Sequence, residues 1–210
     1  MILDIHTHRA APQPEAVISV NPFDFNPVAG QFYSVGIHPW NTLEAPTEEL
    51  WRRLEGAATS DSVVAIGECG IDTLKGGPMF RQLTVMKRQI DLSERIGKPL
   101  IIHDVKAHDI ITGLRRDMKP RQSWIIHGFR GKPQLAAMLT AAGCFISFGE
   151  KFNPETVRSV SKEWILAETD ESAFPIEDII RRLEEARGEP LLEVIAGNTD
   201  RILFHTSPIQ

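Results

Sequence analysis

The chain has 210 residues, of which 42% are hydrophobic and 24% charged, and its formal net charge is −5. That is room for one sizeable core but hardly for two, and the mix is that of an ordinary folded domain rather than a disordered segment. The acidic balance excludes a broadly basic nucleic-acid-binding face, so a phosphate-bearing ligand would need bound cations or a local cluster such as Lys106, Arg130 and Lys132. No apolar run reaches the roughly 18 residues of a spanning helix, and Met1-Ile-Leu-Asp-Ile-His lacks the basic start of a signal peptide. A cytoplasmic protein is expected, with no membrane and no protein partner implied. Cys69 and Cys144 sit inside apolar segments, without the spacing of a disulfide framework.

In chain order, short β-rich runs alternate with helix-patterned stretches. The strand candidates are Ile2 to His6, Ala16 to Val20, Tyr33 to Ile37, Val63 to Glu68, Leu100 to His103, Trp124 to His127, Cys144 to Phe148 and Trp164 to Glu168. Most are continuous apolar runs, as in parallel strands covered on both faces. The segment 21–31, with Pro22 and Pro27, reads as a loop. Thr47 is placed to cap a helix through Leu50 and Leu54, and Met79, Leu83, Met86 and Ile90 repeat at helical spacing. Gly97-Lys98-Pro99 stops that second helix. Arg181-Arg182 with Glu184-Glu185 reads as a solvated helix face. Eight strands with intervening helices predict a single (β/α)8 barrel domain over 1–210, abbreviated in its second and third units.

Polar side chains interrupt these runs where strands should end. His6 and His8 close the first, Glu68 the fourth, His103 the fifth and His127 the sixth, and Asp170 lies just past the eighth. Taken singly, each has a plain explanation: a surface carboxylate, a satisfied core histidine, a helix cap at Asp170. Together they bring six metal-capable side chains to the mouth where such barrels carry their sites. Imidazole and carboxylate donors suit zinc, manganese or iron, and magnesium less naturally. Glu68, midway round the barrel, is placed to bridge two divalent ions about 3.5–4 Å apart. Asp170 is placed to bind the first ion and deprotonate the attacking water. Such a centre can hydrolyse phosphoesters, amides or lactones.

The order of these blocks resembles the TatD family of metal-dependent deoxyribonucleases, among the amidohydrolase-like barrels. The likeness is carried by Asp4-Ile-His6-Thr-His8, Val35-Gly-Ile-His38-Pro39, Ile66-Gly67-Glu68-Cys-Gly70-Ile-Asp72, Lys98-Pro-Leu-Ile-Ile-His103, Ile126-His127-Gly-Phe129-Arg-Gly131 and Glu168-Thr-Asp170. It implies two divalent ions and hydrolysis of DNA, with His6, His8 and Asp170 on the first ion, His103 and His127 on the second, and Glu68 bridging. Asp4 is then structural, His38 a substrate contact at the mouth, and Asp72 a residue that orients Glu68 or its loop. Trp40 reads as an aromatic plug at the rim, or else a stacking platform, and Cys69 as packing between strand and helix.

The chain departs from the family after His103, where Asp104 and Val105 replace a small residue and an arginine. Thr73 stands where an aromatic is usual, Glu171-Ser172 replaces serine-proline, and the C-terminal stretch is shortened to Glu189-Pro190 and a short helix. The expected ligands are intact while basic positions are depleted. Metal-dependent phosphodiester hydrolysis of DNA is therefore weighed against amidohydrolase-type hydrolysis of a small ester, lactone, amide or phosphoester, and against a metal-retaining barrel that only binds. A histidinol-phosphatase-like barrel would need more histidines near the C-terminus than His205 supplies.

Overall fold

In the computed structural model, which describes residues 1–204, the apolar runs become eight parallel strands. His205 lies outside the described residues. The strands are β1 (Asp4–Thr7), β2 (Ala16–Val20), β3 (Phe32–Val35), β4 (Val63–Asp72), β5 (Leu100–Val105), β6 (Trp124–Ile126), β7 (Cys144–Phe148) and β8 (Ile165–Ala167). They close in sequence order, β8 returning to β1 with Asp4 opposite Ala167. Helices α1 (Glu48–Ala58), α2 (Met79–Ile96), α3 (His108–Met118), α4 (Pro133–Ala141), α5 (Pro154–Ser159), α6 (Ile176–Arg187) and α7 (Leu192–Phe204) complete the set.

No helix joins β1 to β2 or β2 to β3. Pro12, Pro14, Pro22 and Pro27 fall in these links and remove the N–H donors a helix would need. Elsewhere local chemistry sets the helix ends. The Thr47 hydroxyl accepts from Leu50 N at 3.2 Å, and Gly97, at φ +72°, ends α2 with its N–H on Ser93 O at 2.9 Å. No helix among the described residues is long and apolar enough to cross a membrane.

Two apolar layers hold the barrel. Inside it, Ile5, Val17, Ala65, Ile101, Ile125, Phe145 and Leu166 each come from a different strand, joined by Ile202 and Leu203 of α7. Outside, Leu54, Met86, Ile90, Ile111, Leu139 and Ile179 pack the helices onto the outward faces of the strands. Burying each such side chain stabilises the fold by roughly 1.5–3 kcal/mol. The interior apolar layer acts as a floor, and His6, Glu68, Glu168 and Thr169 are buried as well.

Strand boundaries differ from the sequence reading where the chain makes its closest approach. β4 does not end at Glu68 but continues to Asp72, and β5 runs past His103 to Val105. Gly70, at φ +143°, allows this: a Cβ there would lie 2.0 Å from His103 O, so only glycine lets the two strands pair at that point. The β4–β5 register shifts between Ile66 and Cys69, a bulge that contains Glu68.

Candidate metal centre

The first and last strands are laced together beneath the mouth. The buried Asp4 carboxylate accepts from Thr169 N at 2.9 Å, Thr169 Oγ1 at 2.6 Å and His6 N at 3.3 Å. Burial pushes the Asp4 carboxyl up to about 7, against the pull of these hydrogen bonds. One residue on, Asp170 N donates to His6 O at 2.9 Å and His8 N donates to Asp170 O at 3.1 Å. The backbone therefore sets His6, His8 and Asp170 side by side. Asp170 holds φ +53° and caps no helix, since α6 starts only at Ile176.

Glu68 reaches across from β4. Its Oε2 lies 3.4 Å from both His6 Nε2 and His8 Nε2, and Asp170 Oδ1 lies 3.8 and 3.7 Å from the same two nitrogens. Its Oε1 lies 2.7 Å from His103 Nδ1, 2.8 Å from His127 Nε2 and 2.9 Å from His38 Nε2. All six expected donors thus come together. His38, expected as a substrate contact, stands inside the cluster, 3.4 Å from His103 Nδ1.

The two sides differ in what their spacing fits. Donors about 2.1 Å from one tetrahedral ion stand roughly 3.4 Å apart, which matches the distances among His6, His8, Glu68 Oε2 and Asp170. His6 is fully buried, and neither of its ring nitrogens finds a hydrogen-bonding partner among the described residues. Such an orphaned imidazole is what a metal ligand looks like without its ion. Burial lowers the His6 pKa, which favours the neutral, ligating form. On the other side the distances are those of hydrogen bonds gathered on one oxygen. Burial opposes ionisation of Glu68, but the charge of His127 and hydrogen bonds from His103, His127 and His38 outweigh it and hold the carboxyl well below its usual range. Burial likewise works against a charged His127, yet Glu68 and Glu168 push its pKa well above the ordinary histidine value.

Glu168 is the residue that the sequence reading did not assign. It is fully buried, with Oε1 3.4 Å from His127 Nδ1 and accepting from Gly128 N at 2.6 Å, and with Oε2 unpartnered. A carboxylate behind a ligating histidine fixes its tautomer and ring orientation. The signal available was its place at the end of an apolar run, two residues before Asp170.

Asp72 does not hold Glu68. Its Oδ1 accepts from Leu74 N at 2.8 Å and Lys75 N at 3.0 Å, while Oδ2 accepts from Trp40 Nε1 at 2.6 Å and sits 3.3 Å from His103 Nε2. A β4 carboxylate this far along faces its own loop and β5 rather than back down the strand. Trp40 is no plug: it is 44% exposed at the rim, with the Lys75 ammonium 4.1 Å from its ring centroid. Cys69 is buried in the layer between strands and helices, and both cysteines are free.

Above the donors opens a cavity of about 680 Å³, walled in part by His38, Trp40, Lys106, His108, Phe129 and Arg130. Lys106 and Arg130 thus stand where they were expected, while Lys132 serves as the N-cap position of α4 and is not in the wall. Arg9 steadies the loop after β8 by donating to Ser172 O and Phe174 O, each at 2.6 Å.

Comparison with known proteins gives a consistent picture. A family model described as TatD related DNase matches residues 28–196. The chain is 29% identical over 149 residues to the uncharacterized metal-dependent hydrolase YabD of Bacillus subtilis, covering 66% of this chain and 58% of that one. It is 32% identical over 123 residues to the uncharacterized metal-dependent hydrolase YjjV of Escherichia coli, covering 56% and 46%. With the 3′-5′ ssDNA/RNA exonuclease TatD of Erwinia tasmaniensis it shares 28% identity over 171 residues, 75% of this chain and 64% of that one. The chain thus spans about half to two thirds of the length of these curated relatives. The crystal structure of the TatD homolog YjjV from E. coli superposes with a TM-score of 0.79, covering 96% of this chain and 97% of that one; at 21% identity this likeness establishes the fold.

Proposed function

We propose that this chain, which belongs to the TatD related DNase family, is a hydrolase that cleaves phosphodiester bonds of single-stranded nucleic acid with two divalent ions. The observation that carries the reading is Glu68, whose two oxygens face different donor groups: His6 and His8 on one side, His103, His127 and His38 on the other. That is the disposition of a bridging carboxylate. His6, His8 and Asp170 would hold the first ion, and His103 and His127 the second, with His38 as a further donor beside it. Five imidazoles among the donors favour zinc or manganese over magnesium.

Such ions, when bound, polarise a phosphoryl oxygen and make water nucleophilic near neutral pH. The chain's own groups do the rest. Asp170 Oδ1 takes the proton of the attacking water, and the Glu168 carboxylate, 3.4 Å from His127 Nδ1, sets the charge behind that ring. Lys106 and Arg130 bind the phosphates, which matters because the net charge of −5 supplies no general attraction. Nucleic acid as substrate is supported by the likeness to the Erwinia exonuclease. A cytoplasmic location fits two free, buried cysteines.

The test is elemental analysis of the wild type and of Glu68→Ala, together with release of nucleotides from end-labelled single-stranded DNA. About two ions per chain, lost with Glu68, and nucleotide release are expected. Two ions without cleavage would discard the nucleic-acid substrate in favour of a small ester or lactone. No bound ion in folded protein would remove the metal centre itself.

A further inference from the structure

Asp104 and His108 occupy the segment where the chain departs from its family, and the structure gives them a shared geometry. The Asp104 side chain is fully buried; its Oδ2 lies 2.6 Å from His108 Nδ1, and its Oδ1 accepts from Ala107 N at 3.0 Å. Lys106, between them, holds φ +52°, which folds the end of β5 back onto the start of α3. The His108 side chain reaches the same cavity as Glu68, His127 and Asp170, with Asp104 buried behind it. His108 is 22% exposed there, beside the Phe129 ring at 6.4 Å between centroids.

A buried carboxylate on Nδ1 fixes which imidazole nitrogen carries that hydrogen and leaves Nε2 for a ligand. Among the described residues no partner takes Nε2. The Asp104–Ala107 contact closes the turn before α3 without involving the side chain at 108. An aligned Asp–His pair opening into a reaction cavity is instead suited to moving a proton.

We infer that His108, oriented by Asp104, protonates the leaving oxygen in the hydrolysis proposed above, on which this inference rests. Water attacks phosphorus and gives its proton to Asp170. The P–O bond to the departing nucleoside breaks, with its electron pair on oxygen, and that oxygen takes the proton from His108 Nε2. His108 Nδ1 keeps its hydrogen throughout, donated to Asp104; Asp170 releases its proton to solvent, and solvent returns one to Nε2. Asp104 is a positioning residue and His108 the catalytic one.

Leaving-group dependence separates this role from a structural one. A nucleoside alkoxide needs a proton to depart, whereas p-nitrophenolate leaves as the anion. The experiment compares wild type, His108→Gln and Asp104→Asn on thymidylyl-thymidine and on thymidine 5′-p-nitrophenyl phosphate, with metal content measured for each. The expected result is that His108→Gln loses on the order of 100-fold more kcat on the dinucleotide than on the nitrophenyl ester. Asp104→Asn follows in the same direction, both variants with wild-type metal content. Equal loss on both substrates, or no loss on either, overturns the role of His108 while leaving the phosphodiesterase intact. Wild type that binds metal but cleaves neither substrate overturns the proposed function, and this inference with it.

Discussion

The two halves of the donor cluster are built by different means. On the β1–β8 side, backbone hydrogen bonds between His6, His8 and Asp170 set the spacing, and the donors stand 3.4–3.8 Å apart with the His6 nitrogens unpartnered. On the other side, His38 after β3, His103 of β5 and His127 after β6 close onto Glu68 Oε1 at 2.7–2.9 Å. One half is held open by main chain, and the other is satisfied by its own carboxylate. On the proposed reading the first is preorganised for an ion, whereas the second would have to exchange hydrogen bonds for metal bonds.

The largest break in this comparison comes from Asp170→Asn. Removing the carboxylate proposed as the base should lower the proposed nuclease turnover on the order of 10³-fold while one ion per chain remains, read by single-turnover kinetics and elemental analysis. Retained turnover would take the base role from Asp170. Next, Glu168→Gln acts only on the second half. It should weaken one of the two ions about 10- to 100-fold and leave the other, as seen in a competitive chelator titration. Equal weakening of both would mean that the halves are not separable.

Thr169→Val tests the lacing itself. The Asp4 carboxylate would lose the 2.6 Å hydrogen bond from Thr169 Oγ1, costing about 1–3 kcal/mol in urea unfolding. No change would show that the β1–β8 seam is held without it. The last effect is a slope. The Asp4 carboxyl, at about 7 when folded against 3.8 ordinarily, binds a proton in the native state that the unfolded chain has released. Its contribution is therefore full below pH 3.8 and falls as pH rises towards 7, by up to about 1.4 kcal/mol per unit. Denaturation of metal-free protein at pH 5 and pH 7 should show that decline, and Asp4→Asn should flatten it.

Much of this was legible beforehand, because each of His6, Glu68, His103, His127 and Asp170 is a polar residue ending or interrupting an apolar run, and period-two alternation aims it. What escaped depends on contacts between distant strands. The extension of β4 to Asp72 follows from Gly70 meeting His103 O, a pairing with no local signature. Glu168 finds His127 only because closure brings the ends of β6 and β8 together. On α6, Arg181 pairs with Asp178 and Glu185, while Glu184 turns inward to accept from Leu191 N and Leu192 N. The solvated-face reading missed that chain reversal.

The seam between β1 and β8 has a bearing on synthesis. His6 and His8 are synthesised well before their neighbour Asp170 and the Thr169 anchor of Asp4, which follow some 160 residues later. A nascent or truncated chain can carry five imidazoles and Glu68 and still lack the Asp170 carboxylate and the backbone clasp that spaces the first pair. The donor cluster is therefore incomplete until the barrel closes, so the last strand works as a completeness check on the site.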